Sequence, residues 1–400
     1  MALIVQKFGG TSVGSIERIE AVAEHVIKTQ QQGHQVVVVV SAMSGETNRL
    51  LNLAKQIDEV PSARELDVLL STGEQASIAL LAMAIIKRGH SAVSLLADQI
   101  TIKTDNMFGR ARVEHIDTQR LKQELEHNRI AIVAGFQGRD SEGNITTLGR
   151  GGTDTTAVEV AGVLHADECQ IYTDVDGVYT ADPRMVNDAR RLSKISFSEM
   201  LELASLGAKV LHLRSVEAAG RYQIPLRVLS SFKPDQGTLI SYKEQCMVDS
   251  AVTGIATNKD IVLYQCSISE PATLSQFLSA LAKLQVEVDM LHQWCRQADI
   301  LGYAFTVHRN DHLAVLALLQ SEPFAHTIND VVFELNQAKV SLVGMGIKSH
   351  PEVLASALTV LADQDIYPKL MSTAEIKASF LVSETQLHGA VNQLHVTFLR

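Results

Sequence analysis

Three stretches of the sequence combine cations, glycines and hydroxyls in the way that phosphate and carboxylate chemistry requires. The first, Lys7-Phe8-Gly9-Gly10-Thr11-Ser12, follows an apolar run. Two glycines let the backbone approach a ligand, their N–H groups can form an anion-binding nest, and the helix expected next would add its positive end. Lys7 supplies a full charge; the bland alternative is a glycine turn with a surface lysine. The second, Leu148-Gly149-Arg150-Gly151-Gly152-Thr153-Asp154-Thr155-Thr156, leads into AVEVAGVL. Arg150 can grip a carboxylate or phosphate with two parallel hydrogen bonds, and Asp154 can hold an ammonium group. In a purely structural reading Asp154 or Thr153 is a helix cap. The third runs from Tyr172-Thr173-Asp174 through Asp176-Gly177-Val178-Tyr179 to Asp182-Pro183-Arg184. Its acids could coordinate a metal or merely close Asx turns.

Smaller pieces join these. Ser41-Ala42-Met43-Ser44-Gly45-Glu46-Thr47 follows a valine run, and Ser71-Thr72-Gly73-Glu74 is expected to begin a buried helix, where a carboxylate needs a cation such as a substrate amine. No GxxxxGK[ST], strand-linked GxGxxG, HExxH or GxSxG occurs, and no cysteine has an evident partner histidine. His308 and His312 are four apart but follow a strand pattern, and both read as surface residues.

These blocks must be carried by alternating strands and helices. LIVQKF, VVVVVS (36–41), IAIVAGF (130–136), CQIYTDV (169–175) and LRVLSS (226–231) read as strands, the valine run as one buried on both faces. Residues 15–31 read as a helix with Ile16, Ile19, Val22, Ala23 and Val26 on one face, and residues 74–87 as a helix apolar nearly all round. That alternation predicts an α/β fold with a largely parallel sheet covered by helices, and ligands at the C-terminal ends of its strands.

Near residue 245 the pattern changes, and the chain repeats itself at an offset of 80 residues. SEPATLSQFLSALAKLQVEV (269–288) lies over SHPEVLASALTVLADQDIYP (349–368), each with a strand before and after, which predicts two small α+β units in tandem. Strand AVTGIAT (251–257) could serve either, permitting a nested arrangement. Four hundred residues accommodate these domains. A net charge of -10 argues against nucleic acid as the main partner, and the N-terminus shows no export pattern. No membrane span is expected. Cys169, Cys246, Cys266 and Cys295 form no CxxC pair and read as reduced, mostly buried thiols in a cytoplasmic protein.

KFGGTSV (7–13), VSAMSGETNRL (40–50), LLSTGEQ (69–75), GFQG (135–138), TTLGRGGTDTTA (146–157), YTDVDGVYTADPR (172–184) and EMLELASLGAKVLH (199–212) closely resemble the aspartate kinase family, in order and over nearly the whole chain. The tandem repeat resembles that family's paired ACT domains. The resemblance implies an amino-acid-kinase-type, mostly parallel sheet sandwiched by helices (1–245) and two βαββαβ ACT domains (250–330 and 331–400). It implies ATP- and Mg²⁺-dependent phosphorylation of the L-aspartate side chain on the route to lysine, threonine and methionine. It further implies a homodimer or higher homo-oligomer formed through the ACT domains.

By the same resemblance Lys7 and Asp154 are catalytic, and Thr47, Glu74, Arg150, Gly151 and Gly152 surround aspartate. Lys7, Phe8, Gly9, Gly10, Ser41, Thr173, Asp174, Tyr179, Arg184, Lys209 and Val210 would hold ATP, with no side chain assigned directly to the metal. A lysine or threonine effector would lie near Asp289, Met290, Gln293, Ser372, Thr373 and Glu375. The first repeat departs from the family pattern at Ser269-Glu270-Pro271-Ala272 and at Met290-Leu291-His292-Gln293-Trp294-Cys295, so its pocket is either narrowed, retuned, or kept only as a dimer surface. A glutamate or acetylglutamate kinase, and an amino-acid sensor with a decayed kinase half, are the competing readings.

Overall fold

The structure, a computed structural model, describes residues 1–400 apart from Lys209, 243–250, Ser269 and 298–299. The predicted nucleotide residue Lys209, and Ser269 and Cys246, therefore lie outside the described residues. The chain divides into two compact units.

The first unit comprises Met1–Tyr179, Arg191–Ser205 and Lys209–Met247. In chain order it contains β1 (Leu3–Phe8), α1 (Ile16–Gln31), β2 (Gln35–Val40), α2 (Glu46–Ile57), α3 (Ala63–Lys87), β3 (Ala92–Leu95), β4 (Lys103–Thr104), β5 (Val113–His115), α4 (Gln119–Glu126), β6 (Ile130–Ala134), β7 (Gln137–Arg139) and β8 (Ile145–Thr147). It continues with α5 (Gly152–Leu164), β9 (Glu168–Thr173), β10 (Lys194–Ser196), α6 (Phe197–Ser205), α7 (Leu213–Tyr222), β11 (Leu226–Ser230) and β12 (Thr238–Ser241). The main sheet runs β10-β12-β11-β9-β1-β2-β6-β3, parallel throughout except between β11 and β12. Val36 to Val40 are at most 1% exposed, as a strand covered on both faces must be. A smaller sheet, β5-β4-β7-β8, stands beside it.

Two helices depart from expectation. Ile16, placed by its spacing on the buried face of α1, is 54% exposed because it opens the helix, one residue after its Ser15 cap. The buried helix begins at Ala63 rather than at Ser71, so the Ser71–Glu74 block lies mid-helix. At 25 residues α3 is long and apolar enough to cross a membrane. Its stripe of buried Asp67, Ser71, Glu74 and Ser77 belongs instead to a protein interior, where partners can be supplied.

The second unit comprises Thr180–Arg190, Leu206–Ala208 and Val248–Arg400. Its elements are β13 (Gly254–Ile268), α8 (Pro271–Lys283), β14 (Leu291–Gln297), β15 (Ile300–His308), α9 (His312–Leu319), α10 (Phe324–Thr327), β16 (Ile328–Val343), α11 (Pro351–Ala362), β17 (Leu370–Thr373), β18 (Lys377–Ser383) and α12 (Leu387–Phe398). The repeated helices α8 and α11 both begin at their prolines, where a fixed φ and a missing N–H are harmless. The sheet is antiparallel, in the order β14-β15-β13-β16-β18-β17. Residues 251–257 and the strand expected before the first repeat are largely one strand, β13. Its first half pairs with Lys339–Val343 and its second half with the start of β16. The half from Gly254 thus joins the second repeat, and a boundary at 330/331 falls inside β16. His312 is not a free surface residue: its Nδ1 lies 2.7 Å from the hydroxyl of the buried Tyr264.

Candidate active site

Parallel strands bring their C-terminal ends to one edge, and the blocks at residues 7–12, 41–47, 135–138 and 172–184 begin there. β1 ends at Phe8, in register with Val40 of β2 and Tyr172 of β9. Close backbone packing fixes the turns that follow. Gly9 N donates to Tyr172 O, Ser41 N to Phe8 O and Gly135 N to Val40 O. A Cβ on Gly10 would come within 2.9 Å of Ala42 O, so that position admits only glycine without backbone movement, and one on Gly135 would press within 2.5 Å of Thr153 Cγ2. A short 3-10 turn, Gly10–Val13, follows Gly9, and α1 runs from Ile16 to Gln31, where the sequence predicts a helix.

The blocks at residues 7 and 154 meet. Lys7 Nζ lies 2.6 Å from Asp154 Oδ1, in the first turn of α5, with both side chains mostly buried. A largely desolvated ammonium held by one carboxylate is placed to face a second anion. Gly9 leaves room there: a Cβ on it would sit 3.3 Å from Lys7 Nζ.

Glu74 supplies the other charge. It is 3% exposed; one oxygen accepts from Ala42 N at 3.0 Å, while Oε2 is buried without a partner. Burial is the main cause that pushes its carboxyl up to about 7, against the two backbone hydrogen bonds that favour ionisation. An orphaned carboxylate oxygen of this kind fits a cation from outside the chain, such as an amine. Gln137 Nε2 donates to Ser71 O one turn earlier, and Asp67 accepts from Gly109 N, Thr147 N and Thr147 Oγ1, tying α3 to the smaller sheet. Asp67 was not singled out in the sequence. The signal was present as a polar stripe (67, 71, 74) at helical spacing inside an otherwise apolar helix.

The remaining predicted residues fall into groups. Thr47 is in the first turn of α2, beyond the Ser41–Gly45 turn. Arg150, Gly151 and Gly152 form the turn into α5, with Gly151 at φ 70°. Phe8 turns its ring into the core, stacked on Tyr172 at 4.7 Å, so only its backbone is available to a ligand. Thr173 and the exposed Asp174 close β9, with Thr173 Oγ1 donating to Asp174 Oδ1. Tyr179 donates to Asp176. Val210 is half-buried. Arg184 belongs to the second unit and is paired with Asp182. Among the described residues no three His, Cys, Asp or Glu side chains converge as metal ligands.

The six effector candidates are not brought together. Gln293 and Ser372–Thr373 sit on β14 and β17, the two opposite edges of the second unit's sheet, and Glu375 lies in the turn beyond β17. Met290 is a core residue beside Ile261 and Leu381, and the Asp289 carboxylate is taken by the buried ammonium of Lys339. Trp294 lies over Gly302 of the neighbouring strand, where a Cβ would come within 2.3 Å of its indole.

Residues 2–230 match the amino acid kinase family and residues 340–398 the ACT domain. An aspartokinase of Pseudomonas aeruginosa is 52% identical over 402 residues, covering 100% of this chain and 98% of its own. Aspartokinase 2 of Bacillus subtilis is 48% identical over 400 residues, covering 100% and 98%. The chain belongs to the aspartate kinase family. Aspartate kinases are phosphotransferases with a carboxyl group as acceptor, and the edge that gathers Lys7, Glu74 and Asp154 lies within the kinase-family match. Among solved structures, aspartokinase III of E. coli in complex with aspartate and ADP superimposes with a TM-score of 0.83 at 26% identity, each chain covering 100% of the other. The same enzyme with lysine and aspartate gives 0.79.

Proposed function

We propose that the protein transfers the γ-phosphoryl group of MgATP to the side-chain carboxylate of L-aspartate, giving 4-phospho-L-aspartate and ADP. A carboxylate oxygen attacks phosphorus as the bond to the β-phosphate oxygen breaks. The attacking group is already ionised near neutral pH, so no general base is required. What opposes the reaction is repulsion between two anions and the entropy of aligning them. The observation that carries the reading is the Lys7–Asp154 pair on the strand edge that Glu74 also approaches. Lys7 meets the transferring phosphoryl group and Asp154 holds Lys7 in position. The free oxygen of Glu74 takes the substrate ammonium, Arg150 the α-carboxylate, and Thr47, Gly151 and Gly152 complete the aspartate site.

Gly9, Gly10, Ser41, Thr173, Asp174, Tyr179, Lys209, Val210 and the backbone of Phe8 serve the nucleotide. Magnesium arrives on the triphosphate. The aspartate, ADP and lysine bound in the E. coli relative support these ligands, with lysine or threonine as feedback effector on the ACT repeats. Further parts of the proposal are a homodimer through those repeats, a cytoplasmic location, and a first step towards lysine, threonine and methionine.

The test is ADP release with aspartate and with glutamate, the acyl phosphate being trapped by hydroxylamine. Aspartate-dependent ADP and hydroxamate in equal amounts are expected. Turnover with glutamate alone, or with neither, would overturn the reading.

A further inference from the structure

The turn that carries Arg150 borders a cleft of about 220 Å³ whose lining includes three arginines (Arg110, Arg150 and Arg214) and His212. No carboxylate lines this cleft, and among the described residues none of the three arginines is in an ion pair. Elsewhere in the first unit arginines do find acids, as Arg227 with Glu168 and Arg191 with Asp235. Like charges gathered at a concave surface repel one another, and an anion entering between them relieves that repulsion.

The cleft is also built to hold its shape. Arg214 Nη1 donates to Leu148 O at 3.2 Å, immediately before the Gly149–Gly152 turn. His212 covers Gly151 so closely that a Cβ there would come within 2.1 Å of its Cγ. Gly149 lies against Gly109 O, and the buried Asp67 ties Gly109 N to Thr147 N. Arg214 is the second residue of α7, two after its cap His212, where the helix dipole disfavours a cation unless an anion is shared.

We propose that Arg214 is a second carboxylate-recognition residue of this site, sharing the α-carboxylate of the amino-acid substrate with Arg150. A single exposed guanidinium holds a carboxylate weakly, whereas two on one wall give charge and geometry together. Arg214 then sets the preference for a free α-acid over its amide. The proposal rests on the aspartate-phosphorylating reading.

The test compares aspartate with isoasparagine, which keeps the reacting carboxylate but carries an amide in place of the α-carboxylate. In Arg214→Gln, kcat/KM for aspartate is expected to fall roughly tenfold or more, through KM, while that for isoasparagine falls less than threefold. Arg214→Lys restores part of the preference, and the KM for MgATP stays within twofold. Equal losses for both substrates would make Arg214 only a brace for the turn and overturn the proposal, as would unchanged aspartate kinetics. If Arg214→Gln fails to fold, the unaltered protein decides. Its KM for aspartate should rise with salt between 0.05 and 0.5 M, by about threefold or more beyond that for isoasparagine, and parallel curves overturn the proposal. A protein that phosphorylates neither compound refutes the underlying function, an outcome distinct from one that phosphorylates both without discrimination.

Discussion

Lys7 and Glu74 carry opposite charges into the same strand edge, and their environments assign them different work. Lys7 is mostly buried with a single carboxylate partner, so its removal leaves Asp154 uncompensated and, on the proposed mechanism, deletes the positive charge facing the phosphoryl group. Lys7→Ala is expected to fold, shown by an unchanged circular dichroism spectrum, and to lose roughly 10²–10³-fold in kcat, on the order of 3–4 kcal/mol. Near-normal turnover would remove Lys7 from the mechanism. Glu74 predicts a pH dependence. Its carboxyl is pushed up to about 7 by burial, so the free enzyme holds it protonated below that pH and charged above. If, as proposed, the charged form receives the substrate ammonium, kcat/KM for aspartate should fall about tenfold per pH unit below 7. In Glu74→Gln it should be low and flat over the same range. The stability change has the opposite sense. Between the unfolded value of 4.5 and the folded value of about 7 the native state binds more protons, so stability falls as pH rises through this window, by roughly 3 kcal/mol. Urea unfolding without substrate at pH 5 and pH 8 should show this loss in the unaltered protein and not in Glu74→Gln. A pH-independent kcat/KM would take Glu74 out of the aspartate site.

At the scale of elements, the site depends on how closely α3 approaches the turn after β2. Gly73 permits that approach: a Cβ there would lie 2.8 Å from Ala42 Cβ, beside the N–H that Glu74 accepts. Gly73→Ala gains about 1 kcal/mol of helix propensity but incurs an overpacking cost of about 1–3 kcal/mol. The net expectation is a modestly lower Tm together with a clear loss of kcat/KM for aspartate; a more stable, fully active variant would show that the contact is slack. The same helix marks the limit of what the sequence reveals. The glycine-rich turns and parallel strands are legible because strand ends, glycines and charged residues are neighbours in the chain. The start of α3 at Ala63 was not legible, since Ser-Thr-Gly reads as a break until a close neighbour explains the glycine. Nor was the Lys7–Asp154 pair, whose members stand 147 positions apart and meet only through the β1–β9 register and the placement of α5. His312 read as exposed because nothing in its own strand pattern points to Tyr264, 48 residues away.

The whole molecule places a constraint on regulation that no single residue reveals. Five strand intervals separate β14 from β17, about 24 Å at 4.8 Å each, several times the length of a free amino acid. Gln293 and Ser372–Thr373 of one chain therefore cannot enclose one effector molecule. If both groups contribute to a pocket, one of them must come from a second copy. Exposed apolar side chains in the same unit, Val332 at 56% and Phe333 and Trp294 at 40%, supply surface for such an association. Effector binding and self-association are then thermodynamically linked: each strengthens the other, and diluting the protein weakens inhibition. The expected result is that lysine, threonine or their mixture shifts the sedimentation equilibrium towards the larger species, and that half-maximal inhibition moves to higher effector concentration as the protein is diluted through its association midpoint. Inhibition that persists undiminished in a chain shown to be monomeric would place the pocket within one copy. It would then have to lie at one edge of the sheet, or displace Lys339 from Asp289.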